Sequence, residues 1–531
     1  MAAQRPAALA RRPRGLGRGF AAGLLAGLLG ALHTPAYAYP QWGWPLALLA
    51  LVGLVALLRA STPGGAAWLG LAYGSGWLGA GVWWLFVSMH RYGDLPAWMA
   101  ASAVAALSIA LSAYLALACA AWARWRPGRV LGDAGLFAAL WLLAELARGV
   151  LFTGFPWVAS GYALVDAPLA ALAPWVGVYG LGALLAASAA LLATLPAVHG
   201  RARAGGLVLA LAVLVGPAVL PEPHFTEPAG RISVSLLQTG VAQDEKFTAA
   251  RLPGLLAALG ADLQRARGQL VVAPETAVPM LPAQLDAVAP GWWAAHVEPI
   301  ARSGRAALIG LPLGDFEFGY TNSVVGVHAG APYRYDKHHL VPFGEFIPTG
   351  FRWFTEHMRI PLGDFARGPL RAPSFEALGQ RFGPNVCYED LFGEELAARF
   401  GDADSAPTVL VNLSNIAWFG DTVALPQHLH ITRMRTLELE RPMLRATNTG
   451  VTAIVDHRAR VLEQLAPFVA GVLEGEVLAR RGLTPYAWWA GRFGLWPLGL
   501  GAALAAVALA RRGAGRRSEQ CQQGESDKRH L

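Results

Sequence analysis

Residues 384–390 read PNVCYED. A short apolar run ends there at Cys387, and the acidic residues Glu389 and Asp390 follow almost at once. This is the pattern of a strand that stops at a thiol, and strand ends are where sheet-and-helix folds collect reactive groups. Working outward, the same alternation continues on both sides. From 232 the chain runs ISVSLLQ, an amphipathic stretch near 247–266, QLVVAPE, a helix near 291–303, AALIGLP and NSVVGVH. Beyond Cys387 come a helix near 391–400, TVLVNLS, a helix near 427–440 and LRATNTGVTAIVD. Short β-rich runs interleaved with helical ones predict a sheet-and-helix sandwich.

The rest of the chain is different in kind. Of its 531 residues 54% are hydrophobic and 15% charged, with a mean hydropathy of +0.39, too apolar for an ordinary soluble protein. Runs of the roughly 17 to 25 residues needed to cross a bilayer occur near 20–37, 41–58, 66–88, 96–123, 130–152 and 168–196, with a shorter one near 206–221 and a last one near 493–510. About eight spans are expected. The domains predicted are 1–221 with spans one to seven, 222–485 as a soluble domain with its own core, 486–512 as the eighth span and 513–531 as a basic, polar tail.

Arginine sets the orientation, because cationic loops stay on the cytoplasmic side. Arg11, Arg12, Arg14 and Arg18 precede the first span, Arg59 follows the second, Arg124, Arg126 and Arg129 the fourth, and Arg201 and Arg203 the sixth. The loops between carry almost no positive charge. Seven spans from an inside N-terminus place the large domain outside, and the eighth returns RRGAGRR to the cytoplasm. The first 40 residues also fit a cleaved signal peptide, with AYA at 36–38 as its cleavage site; that would leave the large domain outside as well. The net charge of +8 is accounted for by these loops and the tail, without nucleic acid.

Three strand ends carry chemistry. VVAPET places Glu275 after an apolar run, YDKHHLVPFGE places Lys337 after an extended one, and NVCYED places Cys387 after a third. Singly each has a plain alternative: a solvated carboxylate, a surface cation, a core thiol. Together they are the base, cation and nucleophile that a thiol needs to attack an acyl carbon. Cys119 lies in the fourth span and Cys521 in the tail, so neither is placed to pair with Cys387. Of 43 Lys and Arg residues only Lys246, Lys337 and Lys528 are lysine; where arginine is the default cation, a retained lysine points to a need for a compact charge. Glu145 and Arg148 sit three residues apart in the fifth span and are expected to pair.

VVAPETAVP, YDKHHLVPFGEFIP, NVCYED and NLSNIAWFGD followed by TRMRTLELERPMLRATNTG resemble the nitrilase superfamily. With the spans, TGFPW and GLTPY, they resemble its membrane-embedded branch, the apolipoprotein N-acyltransferase family. The resemblance implies an αββα sandwich, a triad on Glu275, Lys337 and Cys387, and supporting groups on Glu345, Tyr388 and Glu389. It implies acyl transfer from a glycerophospholipid to the N-terminal amine of a diacylated apolipoprotein through a thioester, in the inner membrane of a Gram-negative-type bacterium, by a monomer with no metal, nucleotide or other cofactor. Ile416 stands where the family usually has Asp, and Phe247 where some relatives have Trp.

The stretch 344–368, with Phe351, Trp353 and Phe354, is expected to form a lid or membrane-facing arm. Ala417 to Leu425 is expected as a second arm, with Trp418 and Phe419 facing lipid. Core packing is the alternative for the first. Two other functions compete: a membrane-tethered amide or nitrile hydrolase, and a transporter with an exported accessory domain. The spans carry few ionisable groups, against the transporter, and the triad alone does not separate hydrolase from transferase.

Overall fold

The computed structural model describes residues 14–219, 224–330, 332–348 and 365–529. Its first part is helical: Arg14–His33, Pro40–Arg59, Pro63–Gly81, Ala97–Trp125, Val130–Val150, Ala173–Thr194 and Gly200–Val215. Among the described residues six helical stretches are long and apolar enough to cross a membrane, and a seventh if Pro485–Phe493 and Trp496–Ala514, bent by 90°, form one span. The expected span at 66–88 makes the difference. Glycine dilutes the apolarity of Pro63–Gly81, and the chain then breaks into the short helix Leu85–Val87 and a π turn at Ser88–Tyr92.

Those glycines have a packing role. A Cβ on Gly30 would lie 2.0 Å from the Tyr73 carbonyl oxygen, and one on Gly76 would lie 2.0 Å from that of Gly27. On the opposite side a Cβ on Gly70 would meet the Cys119 sulfur at 2.9 Å, and one on Gly74 the Ser112 hydroxyl at 2.6 Å. Helix Pro63–Gly81 is therefore clasped between Arg14–His33 and Ala97–Trp125 by backbone approach, the small-residue packing that brings helices together where lipid supplies no hydrophobic drive. Cys119 is a buried packing residue in that seam.

The second part contains two six-stranded sheets. The first runs β12 (Gly471–Gly482), β1 (Thr226–Gln238), β2 (Leu270–Val272), β3 (Ala306–Asp315), β4 (Gly319–Val327), β5 (Tyr333–Asp336). The second runs β11 (Val461–Gln464), β10 (Ala453–Val455), β9 (Met443–Thr447), β8 (Val409–Ser414), β7 (Gln380–Val386), β6 (Phe375–Ala377). Successive strand residues face opposite ways, and their burial follows. Val234, Leu236, Leu270, Val272 and Leu308 meet Val386, Val409, Val411, Leu413 and Leu444 between the sheets. Leu237, Val271 and Ile309 face outward onto Leu256, Leu259 and Leu263 of helix Leu252–Arg265. Leu410, Met443 and Val455 face the other way onto Leu396, Phe400 and Leu439. The layers are helix, sheet, sheet, helix, as expected.

Local differences have local causes. The helix read over 247–266 starts only at Leu252, with Pro253 in its first turn, where a missing N–H costs nothing. The helix at 291–303 is two short ones, Trp292–His296 and Glu298–Arg302, with Pro299 opening the second. Strands β11 and β12 were absent from the sequence reading. In β12 Gly475 and the buried Arg480 interrupt the apolar alternation, yet it pairs antiparallel with β1 from Gly471 opposite Gln238 to Gly482 opposite Thr226.

The two parts are bonded to each other. Helix Ala424–Leu439 shares an apolar cluster with Trp84, Trp157, Tyr162 and Val178. Within it Gln427 Oε1 accepts from the indole N–H groups of Trp84 (3.0 Å) and Trp157 (2.8 Å), and Gln427 Nε2 donates to the Gly81 carbonyl at 2.9 Å. Glu145 and Arg148 do pair, at 3.4 Å. Each also pins the loop after its helix: Glu145 accepts from the Ser160 N–H and hydroxyl, and Arg148 donates to the Phe155 and Trp157 carbonyls.

Gly30→Val should force two helices apart at a point where a Cβ has no room, costing about 1–3 kcal/mol and lowering the apparent Tm in detergent. Gly19→Ala, which meets nothing within 4 Å, is the control expected to leave Tm unchanged.

Candidate active site

Glu275, Lys337 and Cys387 each follow a strand, β2, β5 and β7 in turn, and the two sheets bring them together. The Glu275 carboxylate spans both sheets. Its Oε1 accepts at 2.7 Å from Asn322 Nδ2 in β4, and its Oε2 accepts at 2.7 Å from the N–H of Asn415, the residue after β8. Lys337 Nζ donates to Glu345 Oε1 at 2.9 Å and lies 3.6 Å from Glu275 Oε1. Asn322 Nδ2 also donates to Glu345 Oε1 at 2.7 Å, and the Val341 N–H donates to Glu345 Oε2 at 2.8 Å. Lys337 is only 1% exposed, Glu275 and Glu345 7% each. At that burial an unpaired charge would cost several kcal/mol, so each ion requires the others.

The electrostatics give each group a state. Burial disfavours the Lys337 ammonium, but Glu345 and then Glu275 outweigh it, so its pKa is raised and it keeps its proton. Burial and then Glu275 push the Cys387 thiol up to about 12, with Lys337 and the neighbouring Ser414 hydroxyl pulling the other way. The Lys337 cation pulls the thiol's pKa down, but desolvation is the larger effect. At neutral pH the sulfur therefore holds its proton until a base removes it.

The backbone at Cys387 is strained. Its φ is +52°, in the left-handed region that costs a non-glycine residue of order 1–3 kcal/mol and persists only when its surroundings fix it. They do so from two sides. The Cys387 carbonyl faces His428 Nε2 at 3.2 Å, and Arg445 Nη2 lies 2.7 Å from His428 Nδ1. Arginine can only donate, so Nδ1 accepts and the Nε2 proton points at Cys387. Arg445 is anchored by Thr432 (2.8 Å) and by Asp390 at 3.6 Å. On the other side Glu389 collects four donors: Tyr335 OH (2.7 Å) and the N–H groups of Val386 (2.6 Å), His338 (2.7 Å) and His339 (3.1 Å). It ties the thiol's strand to the lysine's.

Tyr388 points away from the sheets. Its hydroxyl donates to the Gly154 carbonyl at 3.1 Å and its ring packs on His339 and Phe392 at the membrane helices. Ile416 is buried in that same apolar cluster and packs over Gly450, so an apolar side chain suits the position. Phe247 is half exposed. Phe419 is tucked against Trp84 (4.2 Å between centroids) and Trp157 (6.2 Å), and Trp418 meets Tyr92 edge to face at 5.7 Å. Both rings pack on the helical part and remain partly exposed. Phe351, Trp353 and Phe354 lie outside the described residues.

Sequence reading overlooked Asn322, Asn415, His428 and Arg445, because nothing in a single chain marks which asparagine or buried arginine reaches a distant loop. It also left Lys246 unassigned, although lysine scarcity marked it as it marked Lys337. Lys246 Nζ donates to the Glu275 main-chain carbonyl at 3.0 Å.

Glu389→Gln should be more harmful than its shape suggests. Four donors face a carboxylate that only accepts, and an amide would turn an NH2 toward two of them. Loss of one charged bond there costs about 1.5–3 kcal/mol, to be read as a lower apparent Tm and faster proteolysis of the 335–345 loop.

Two family profiles match the chain: "Apolipoprotein N-acyltransferase N-terminal domain" over residues 26–191 and "Carbon-nitrogen hydrolase" over residues 238–486. The apolipoprotein N-acyltransferase of Verminephrobacter eiseniae is 51% identical, over 88% of this chain and 92% of that protein. That of Ralstonia nicotianae is 46% identical, over 91% and 92%. Among solved structures, the carbon-nitrogen hydrolase from Helicobacter pylori G27 overlays with a TM-score of 0.34 at 17% identity, covering 50% of this chain and 94% of that one. The chain belongs to the apolipoprotein N-acyltransferase family.

Proposed function

We propose that this protein transfers a fatty acyl chain from a glycerophospholipid to the N-terminal α-amine of a diacylglyceryl-cysteine lipoprotein, through a thioester on Cys387. One observation supports the reading: Lys337 lies 3.6 Å from the Glu275 carboxylate, both act on the Cys387 thiol, and the Cys387–Leu391 turn and 416–434 region pack directly on membrane helices. Both substrates are lipids, so an acyl carbon must reach the thiol without crossing water.

Glu275 takes the thiol proton as sulfur attacks the ester carbonyl, which suits a thiol that does not ionise unaided. Lys337 and the Tyr388 N–H face the oxyanion. The C–O bond breaks, the glycerol oxygen takes the proton from Glu275, and lysophospholipid departs. The lipoprotein amine then attacks the thioester, giving Glu275 a proton, and the amide leaves with the thiol restored. The kinetics are ping-pong. The arginine-rich loops support cytoplasmic termini and a two-sheet domain on the outer face of the inner membrane, and the chain acts as a monomer.

Cys387→Ala should abolish the acyl-enzyme, seen by mass spectrometry and by hydroxylamine lability, whereas Cys119→Ala and Cys521→Ala should keep activity near wild type. With phospholipid alone the protein should release about one lysophospholipid per chain and stall, since one thiol holds one acyl group. A diacylated lipopeptide with a free amine should restart turnover, and its N-acetylated form should not. Sustained release of free fatty acid without lipopeptide, at the same rate as turnover with it, would assign the chain to hydrolysis instead.

A further inference from the structure

The chemistry above gives Lys246 no role, although it is buried against Glu275. Lys246 is 3% exposed, and its Nζ donates to the Glu275 carbonyl oxygen at 3.0 Å while Lys337 lies 3.6 Å from the carboxylate of the same residue. Glu275 is held between two lysines, one on its backbone and one on its side chain. We propose that Lys246 is a positioning residue for acyl transfer, fixing the Glu275 backbone and supplying the second positive charge against which the thiolate and oxyanion develop. The inference rests on the proposed roles of Glu275 and Cys387.

Charge balance is the reason. Glu275 and Glu345 are opposed by Lys337 and Lys246, two against two. When the thiol proton moves to Glu275, negative charge moves to sulfur and then to the carbonyl oxygen, and the pocket stays neutral only if both ammoniums are charged. Without Lys246 it would hold a net negative charge in a place that water does not screen, which opposes every anionic step. The groups acting on Cys387 are Glu275, Lys337 and Glu345 from the first sheet, with Arg445 and His428 from the second-sheet side. Those acting on Lys246 are Glu275 and Cys387. Its chain neighbours Asp244 and Glu245 turn outward to Arg91 and Arg251. Burial brings Lys246 down to about 8, with Glu275 and Cys387 pulling back up, so its charge is present below that pH and lost above it.

The test uses full-length protein in detergent with Cys119 and Cys521 replaced by Ala, and iodoacetamide as the probe of Cys387. Lys246→Met should slow alkylation at pH 7.5 by at least about tenfold, the equivalent of one pK unit, and move the rate–pH profile upward. Lys246→Arg, charged throughout, should stay close to wild type, and in turnover should carry the alkaline fall of activity to higher pH. A Lys246→Met profile superimposed on wild type overturns the proposal, as does equal slowing in both variants without a shift, which would mark a purely structural residue. Glu275→Gln separates the two readings. If it leaves alkylation unchanged, the catalytic reading fails whatever Lys246 does; if it slows alkylation and Lys246→Met does not, only the Lys246 proposal fails. Should Lys246→Met not accumulate folded, lysine-selective isotope labelling of the wild type gives signals for Lys246, Lys337 and Lys528 alone. Lys246 should then titrate near pH 8 and shift on Glu275→Gln; a signal indifferent to that change overturns the proposal.

Discussion

Charges buried out of water must be matched, and around Glu275 that requirement organises the domain. Its two oxygens reach Asn322 on one sheet and the Asn415 backbone next to the other, while Lys337 bridges it to Glu345. None of these groups could be left alone at such burial. The ends of β2, β4, β5 and β8 are thereby fixed relative to each other by the same bonds that compose the pocket. Held by an amide and a backbone N–H, the Glu275 carboxylate has a fixed orientation.

The strained Cys387 backbone belongs to the same scheme. The left-handed residue stands at the end of a strand, and its conformation is held by the His428 and Arg445 pair behind it and by Glu389 beside it. His428 stands next to Gln427, which accepts from Trp84 and Trp157 of the membrane part. One helix, Ala424–Leu439, therefore supports Cys387 with one side chain and grips the membrane helices with the next. The position of the Cys387 backbone is thereby linked to the membrane helices through two adjacent residues.

The membrane part meets its own constraint differently. Between helices the hydrophobic effect gives no preference for protein over lipid, so close approach has to come from shape. Gly27, Gly30, Gly70, Gly74 and Gly76 supply it by letting helix backbones touch. The few polar groups buried there are locked into loops, as Glu145 and Arg148 are with residues 155–160, which rigidifies the segment that receives the Tyr388 hydroxyl at Gly154.

The sequence by itself determined which stretches are apolar enough to cross a membrane, that strands alternate with helices in the second part, and that a carboxylate, a cation and a thiol each follow a strand, because hydropathy and period-two burial are local properties. It could not count the spans closely, since the glycines of Pro63–Gly81 lower its apolarity while improving its packing. It missed β12, where Gly475 and the buried Arg480 interrupt an apolar alternation that pairing with β1 makes plain. Only the tertiary structure decided that Asn322, Asn415, His428 and Arg445 surround the site, that Phe419 packs on Trp84, and that burial outweighs Lys337 in setting the thiol's acidity. Each of these depends on contacts between residues far apart in the chain, from Glu275 to Asn415 or Trp84 to Gln427, and on desolvation, which exists only once the chain has folded around the group.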